Sequence, residues 1–571
     1  MEARRSGKHH RLIGAATAAI VAAISLAAAS TAAADTFKVT NTSDPGAGSL
    51  RQAIRDANAH PGADTIKFAD GVAGTIKMTQ GEYSIQSNLE VQGPGSQKLT
   101  LSAQHNGRVF LVSEGSKATI SGMTMSDGTV FGEEGHSGDA GGSIEGGGVF
   151  NRGDLTLDGV EVSGNRAEGG SGGNGTRFHS GGPGGNAYGG GIFSSGNLTM
   201  KDSFVAANTA AGSFGGDAPG TITLHAGEGG TGWGGGIYVN GPKADLTIRH
   251  SLIAGNKATG GEGGRDNASG SRGRRGGEGN GGGIEFSGGH ALIDDATIEV
   301  NRVKGGPGPY GGHASGGGIR ADRPLELSKS TVRGNDVQGG DGDEEARPQF
   351  DRGGGIMSRQ GRLLVSRSTI SGNSVAAGKR TNDSSIIAGG GIATFEAGIL
   401  DVQTSTIAGN SSQVGGGIDI RDPGSSSSVV FSTLASNQTT GGAASGANFA
   451  RTDVGPTSFK STIVAQPRGG AGNCNVAVTS NGYNLEQGNS CGFTQATDKR
   501  NTNPLLDDLG KNGGPTKTMA IPRSSPAIDQ GVGADGDQRG MQRPVLFDIP
   551  RPPGGDGSDI GAFELQRTRH R

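Results

Sequence analysis

Apolar positions recur at fixed distances ahead of eight asparagines: Asn165, Asn208, Asn256, Asn301, Asn335, Asn373, Asn410 and Asn437. Three residues before each stands Val162, Val205, Ile253, Ile298, Val332, Ile370, Ile407 or Leu434. Eight before each stands Leu157, Met200, Ile248, Ile293, Leu327, Val365, Val402 or Val429, and ten before is mostly Leu. Five before is small, usually Ser, as in Ser203, Ser251, Ser330, Ser368, Ser405 and Ser432. Within each short run the apolar set steps by two, the period of a strand. A polar pair six and seven residues before the Asn interrupts it and reads as a turn.

Each block opens on three glycines, starting at Gly146, Gly189, Gly234, Gly281, Gly316, Gly353, Gly389 and Gly415. From first Gly to Asn the distance is 19 to 22 residues, and from Asn to the next triplet 5 to 26. A near-constant block joined by variable loops is the mark of a solenoid. Each block predicts three short strands: the GGG-Ile run, a Leu-Thr-Leu type run and a Ser-Thr-Ile type run. None can bury a face alone, so copies must stack in parallel about 4.8 Å apart. The fold predicted is a right-handed parallel β-helix, all-β, of about twelve coils. The asparagines are expected to form a ladder, each in the left-handed region of a tight turn and bonded to its copy in the next coil. A phosphate-binding loop is a poor competitor, because no Gly run leads into a helix.

The pattern divides the chain into residues 1–34, a signal peptide; 35–128, an N-terminal cap and first irregular coils; 129–466, the regular repeats; and 467–571, a C-terminal region where the repeat fades. In the first segment Arg4, Arg5, Lys8 and Arg11 precede an Ala/Ile/Leu stretch that ends Ala32-Ala33-Ala34 before Asp35. A retained membrane anchor is the alternative there. Ser49 is a good N-cap, and Leu50, Ala53, Ile54 and Ala57 share one face of a short helix. Such a helix would cover the strand edges left open at the solenoid's end.

Composition adds two limits. With 113 Gly in 571 residues the chain would suggest disorder or collagen, but the repeat register and the lack of a Gly-X-Y period exclude both. Removing the signal leaves 47 basic and 53 acidic side chains, a net charge of −6, which is no nucleic-acid footprint. The expectation is a monomer without nucleic acid, and without a membrane once the signal is gone. Cys474 and Cys491 lie close together; in an exported protein they form one disulfide, with a free-thiol role the alternative. So short a closed loop stabilises by about 3 kcal/mol or less.

The ends and the repeats together carry a resemblance. The segment Ser49-Leu50-Arg51-Gln52-Ala53-Ile54 with Pro61-Gly62-Ala63-Asp64-Thr65-Ile66 looks like the CSLREA-type N-terminal region of secreted bacterial β-helix proteins, without its leading Cys. Asn503-Pro504-Leu505-Leu506, Ser525-Pro526-Ala527-Ile528-Asp529, Asp537-Gln538-Arg539-Gly540 and Asp559-Ile560-Gly561-Ala562-Phe563-Glu564 resemble a choice-of-anchor Q domain. The middle is similar to the GGAI and FxxN repeats of polymorphic outer-membrane adhesins. The resemblance implies a pectin-lyase-like fold and an extracellular or cell-surface location, and little chemistry.

Candidate chemistry lies in two places. Six residues before the Asn, successive coils present Asp202, His250, Asp295, Lys329 and Arg367. Asp202 and Asp295 would stand two coils apart, about 9.6 Å, near the spacing of an inverting carboxylate pair. The bland reading is that alternating charges avoid like-charge stacking. The variable loops are the second place. All leave after the Asn turn, so they project from one edge, and three are far longer than a turn needs. They carry Phe178, His179, Tyr188, Phe214, His225, Arg272, Arg274, Arg275 and Tyr310, side chains suited to sugar rings or partner proteins. Trp233 abuts a triplet and is expected to pack. The run Asp341, Asp343, Glu344 and Glu345 is close to a calcium repeat, but it does not recur at the required spacing. No cofactor is expected, with Ca²⁺ the alternative.

The reading that follows is a secreted, non-enzymatic surface or matrix protein binding polysaccharide, or a cell-envelope protein, through its loops. The rival is a polysaccharide lyase or glycoside hydrolase acting on an acidic polysaccharide. A convergent cluster of acidic and basic side chains in one groove would discriminate them, and the repeat map alone reveals none.

Overall fold

The computed structural model describes residues 34–567 except 221–223, 267–272, 343–349, 380–385 and positions 397, 423, 454 and 534. They form a right-handed parallel β-helix whose strands stack into five parallel sheets of 14, 13, 11, 9 and 7 strands. The tallest sheet exceeds the twelve coils expected from the repeats, because irregular coils at both ends join it. At about 4.8 Å per step it is roughly 60 Å tall.

One coil serves for all. After the triplet Gly146-Gly147-Gly148 the chain runs through Val149–Asn151, Asp154–Asp158, Glu161–Ser163 and Arg166–Glu168. It leaves as a loop, returns as Ala187–Tyr188 and enters the next triplet. A coil thus holds five strands, not three. The two extra ones flank the loop, where one run follows the Asn and a shorter one precedes the triplet. These strands are only two or three residues long, and in the early coils their inward residues are small (Ala167, Ala187, Ala210), so no alternation can be read, although later coils place Val303, Val337 and Ile387 there.

The inward set is as expected. The residues three and eight before each Asn are all fully buried in one continuous core. The Asn ladder is present: each Nδ2 donates to the next Asn Oδ1 at 2.8–3.0 Å from Asn165 through Asn437. It continues through Asn448 to Asn473, beyond the eight repeats. The backbone assignment needs correction. The left-handed residue is the one before the Asn, as at Gly255 and Val300, and not the Asn itself. A second left-handed turn falls six residues before the Asn, at Asp202, His250, Asp295, Lys329 and Arg367. This is the polar turn read from the sequence. In the triplets only the first Gly is left-handed. The other two are required by close approach: a Cβ on Gly236 would lie 2.7 Å from the Gly283 carbonyl oxygen and 2.9 Å from the Asn256 amide.

The long loops are a second packed body. Outgoing and returning limbs interleave, and backbone bonds run from limb to limb. Gly170 donates to Gly142, Gly185 to Gly170, Ser213 to Gly185, Gly230 to Ser213, Gly261 to Gly230 and Gly277 to Gly261, at 2.7–3.1 Å. The glycines that approach a neighbouring limb recur every third residue, as Gly169, Gly172 and Gly175, or Gly170 and Gly173. That is the period of polyproline II, and the requirement is the one that places Gly at crowded chain axes. Each loop holds only two or three turns of it, too few to stand out as a Gly-X-Y period along the chain.

Both ends are covered. Helix Leu50–Ala59 is capped by Ser49, whose Oγ accepts from the Gln52 N–H, and it buries Leu50, Ala53, Ile54 and Ala57. On the same helix Arg51 is buried against Asp44 at 2.7 Å and lies over the Tyr83 ring. Cys474 and Cys491 form a disulfide. Beyond it the chain turns back over the outer face of the sheet formed by the strands preceding the asparagines. Gln538 bonds Thr369 and Thr406, Thr516 bonds the Arg367 carbonyl, and the Ala562 N–H donates to Thr433. Ile521, Ile528, Ile560 and Phe563 make a separate apolar cluster against Ile463 and Leu485. No helix among the described residues is long and apolar enough to cross a membrane.

Candidate functional site

The triplet turn folds the strand before it against the strand after it. The residue just before each triplet therefore lies beside the second residue after it. These paired positions form a corner that runs along the solenoid. One wall reads Tyr188, Trp233, Asn280, Ser315, Arg352 and Ala388. The other reads Phe150, Phe193, Tyr238, Glu285, Arg320, Met357, Ala393 and Asp419. The second set points away from the main core and is buried all the same.

The character of the corner changes along its length. Its first half is aromatic. Tyr188 and Trp233 stack on Tyr238 at 5.6 and 6.2 Å, with Phe193 edge-on. The second half is charged. Arg320 lies over the Trp233 ring at 5.0 Å and pairs with buried Glu285 at 2.7 Å and with Asp322 at 3.1 Å. Arg359 grips Glu396 through two bonds of 2.7 and 2.8 Å, and Arg421 holds Asp419 at 2.6 Å. Between them opens a cleft of about 530 Å³ lined by Glu278, His313, Arg320, Phe350, Arg352, Arg359, Phe395, Glu396, Arg421, Asp422 and Asp453. That volume suits a small ligand or a short stretch of chain.

Arg352 is the centre of this cleft. Its guanidinium lies 4.2 Å from the Phe395 ring centre and 5.0 Å from that of Phe350. Burial, then the neighbouring Arg421, lowers its pKa to about 10. Its buried Nε has no hydrogen-bond partner among the described residues. Glu285 is the other unusual group. Burial pushes its carboxyl up to about 8 against the pull of Arg320, and its Oε2 also has no hydrogen-bond partner among the described residues.

Asp202, His250 and Asp295 do meet: His250 bridges the two carboxylates at 3.6 and 3.7 Å. All three are about half exposed on a solvated turn, and Lys201 adds a second contact to Asp202 at 3.4 Å. Phe178, 78% exposed, and Phe214 stand out from the loop body, and His179 is exposed. His225 lies 3.9 Å from Asp266, and Arg275 pairs with Glu278 at 3.2 Å. Arg274 and Tyr310 are half-buried, and Tyr188 belongs to the aromatic corner. Arg272, Asp343, Glu344 and Glu345 lie outside the described residues. Asp341 is engaged by the Lys379 N–H at 2.8 Å and Lys304 at 4.0 Å.

Neither the loops nor the Asn-relative register marks the cleft residues. The signal was present in the residues flanking each triplet: Tyr238, Glu285, Arg320, Met357 and Asp419 each follow GGG-Ile directly.

No protein-family model matches the chain, and no curated protein sequence matches it. Among solved structures it is similar to pectate lyase Pel9A, with 12% identity, a TM-score of 0.36, and coverage of 93% of this chain and 96% of that one. It is also similar to the A-module of the Azotobacter vinelandii mannuronan C-5 epimerase AlgE6, with 12% identity, a TM-score of 0.30, and coverage of 76% and 94%.

Proposed function

We propose that the chain is a secreted β-helix protein that binds an acidic polysaccharide along the triplet corner. In this reading residues 1–34 are its signal peptide and the last hundred or so a choice-of-anchor Q-like cap. The observation that carries it is Arg352, a largely buried cation that lines an open cleft between two phenyl rings and pairs with no carboxylate at ion-pair distance among the described residues. A uronate or sulfate entering the cleft offers the guanidinium an anionic partner, and aromatic walls suit sugar rings. The aromatic half continues the same track for further residues of an extended chain. Binding without turnover fits the ion pairing of Arg320 with Asp322 and of Arg359 with Glu396, which already engages those charges.

The lyase reading has one specific support. Arg352, whose pKa burial lowers to about 10, lines the cleft as a candidate base, while Glu285 is fully buried against Arg320 and does not line it. The Asp202–His250–Asp295 ladder is the weaker catalytic candidate, since it is solvated and flat. Phe178, Phe214 and the loop arginines remain a proposed secondary contact surface.

The test is a glycan array of uronic-acid and sulfated polysaccharides, followed by assays for unsaturated and reducing ends. Arg352→Ala should weaken binding at least tenfold, roughly the contribution of one charge-assisted contact, while Arg177→Ala beside Phe178 leaves it within twofold. Binding that survives Arg352→Ala moves the site elsewhere. New chain ends lost in Arg352→Ala would establish an enzyme.

A further inference from the structure

Among the described residues Thr36–Val39 is the first strand, stands at the edge of the 14-strand sheet and pairs only with Ala63–Phe68. Just ahead of it, the backbone N of Asp35 lies 2.8 Å from Asp64 Oδ1. The Asp64 side chain is fully buried. Its other described side-chain contact is His60, whose Nδ1 is 3.1 Å away and whose Nε2 lies 3.2 Å from Asp35 Oδ2. A buried carboxylate needs a cation or several donors. One amide N–H and an imidazole, cationic only when protonated, are a thin supply. Ala34 and Asp35 are both exposed, and the sequence before them ends Ala32-Ala33-Ala34.

We propose that the working chain begins at Asp35 and that its α-ammonium is the counter-ion of Asp64. The inference rests on the signal-peptide reading. A signal peptidase hydrolyses the Ala34–Asp35 bond. Water adds its oxygen to the Ala34 carbonyl carbon, Ala34 leaves as a carboxylate, and the Asp35 nitrogen leaves protonated. An α-amino group has a pKa of about 8 when free, so the new terminus is cationic at neutral pH. It already stands at hydrogen-bond distance from Asp64, and its two additional N–H donors bring charge to a site where the uncut chain offers a neutral amide. The cut thereby fastens the edge strand that closes the N-terminal end.

Four proteins test this: the mature chain from a secreting host, the same chain with one Met added before Asp35, and each with Asp64→Asn. Mass spectrometry of the secreted chain should give Asp35 as its first residue; another start overturns the proposal at the processing step. Hydrogen exchange over Thr36–Val39 then reads the pairing. The added Met should accelerate exchange about tenfold, as should Asp64→Asn in the mature chain, with little further effect when combined. Equal exchange with and without the Met, or additive losses, overturns the ion pair while leaving the cleavage intact. If Asp64→Asn does not fold, the Met extension alone decides.

Discussion

A single buried position decides whether the solenoid register is right. Ile253 is fully buried, whereas Thr331 faces outward on the strand preceding Asn335. Ile253→Asp should cost on the order of 4 kcal/mol or prevent folding, because it buries an unpaired carboxylate; Thr331→Asp should stay within about 1 kcal/mol. Chemical denaturation of both variants checks it, and equal midpoints would show the faces to be reversed. Two carboxyls predict a pH dependence. Burial raises Glu285 to about 8, and burial with Glu564 close by does the same to Asp559. Groups held above their unfolded value of about 4 bind protons more tightly in the native state. Their contribution is complete below pH 4 and lost as pH rises through 8. Melting temperature should therefore fall between pH 5 and 8.5, and Glu285→Gln should flatten that slope. An unchanged slope would mean that Glu285 is ionised throughout.

At the scale of elements, the glycines of the loops and of the turns should respond differently to the same change. Gly159 is left-handed, and a Cβ there meets nothing within 4 Å. Gly159→Ala should cost about 1 kcal/mol, the ordinary strain of that backbone region. A Cβ on Gly277 would collide with the Gly230 carbonyl of the adjoining limb, so Gly277→Ala must part the limbs. Amides from Gly260 to Gly264 should then lose protection in hydrogen exchange, while those of the Asn ladder keep theirs. The comparison also marks what the sequence disclosed. Strong side chains announced the three main strands, the core set and the ladder. The two flanking strands were hidden because they are only two or three residues long, too short to show an alternation, and in the early coils Ala167 and Ala187 carry no contrast with a Gly-rich background. The cleft was hidden for another reason. Arg320 and Arg352 stand some thirty residues apart at the start and end of one coil and Glu285 lies in the coil before, so their convergence depends on a corner that exists only once the coils are closed and stacked.

For the whole molecule the main question is what stops the stack. Parallel coils propagate until an edge is covered, and an uncovered edge invites association. At the N-terminal end a helix with a buried Arg51–Asp44 pair does this locally. The C-terminal solution is long-range. After the disulfide the chain runs back along the outer face, so that Gln538 reaches Thr369 and Thr406, residues some 130 to 170 positions earlier. A network of Arg539–Asp537 at 2.6 Å and Arg543–Glu564 at 3.0 Å, both buried, holds the returning strap in shape. Removing one partner of such a pair leaves an uncompensated charge, at a cost of about 3–5 kcal/mol. The strap packs on coils near the C-terminal end and contributes nothing to the core of the early ones. Arg543→Met should therefore release the strap without melting the solenoid. Limited proteolysis should cut first between residues 500 and 560, and the trimmed protein should keep its β-sheet circular dichroism yet associate through the exposed Ala408 and Ala435 face. Loss of all β-structure in Arg543→Met would instead make the strap part of the folding unit, and the repeats ahead of it unable to stand alone.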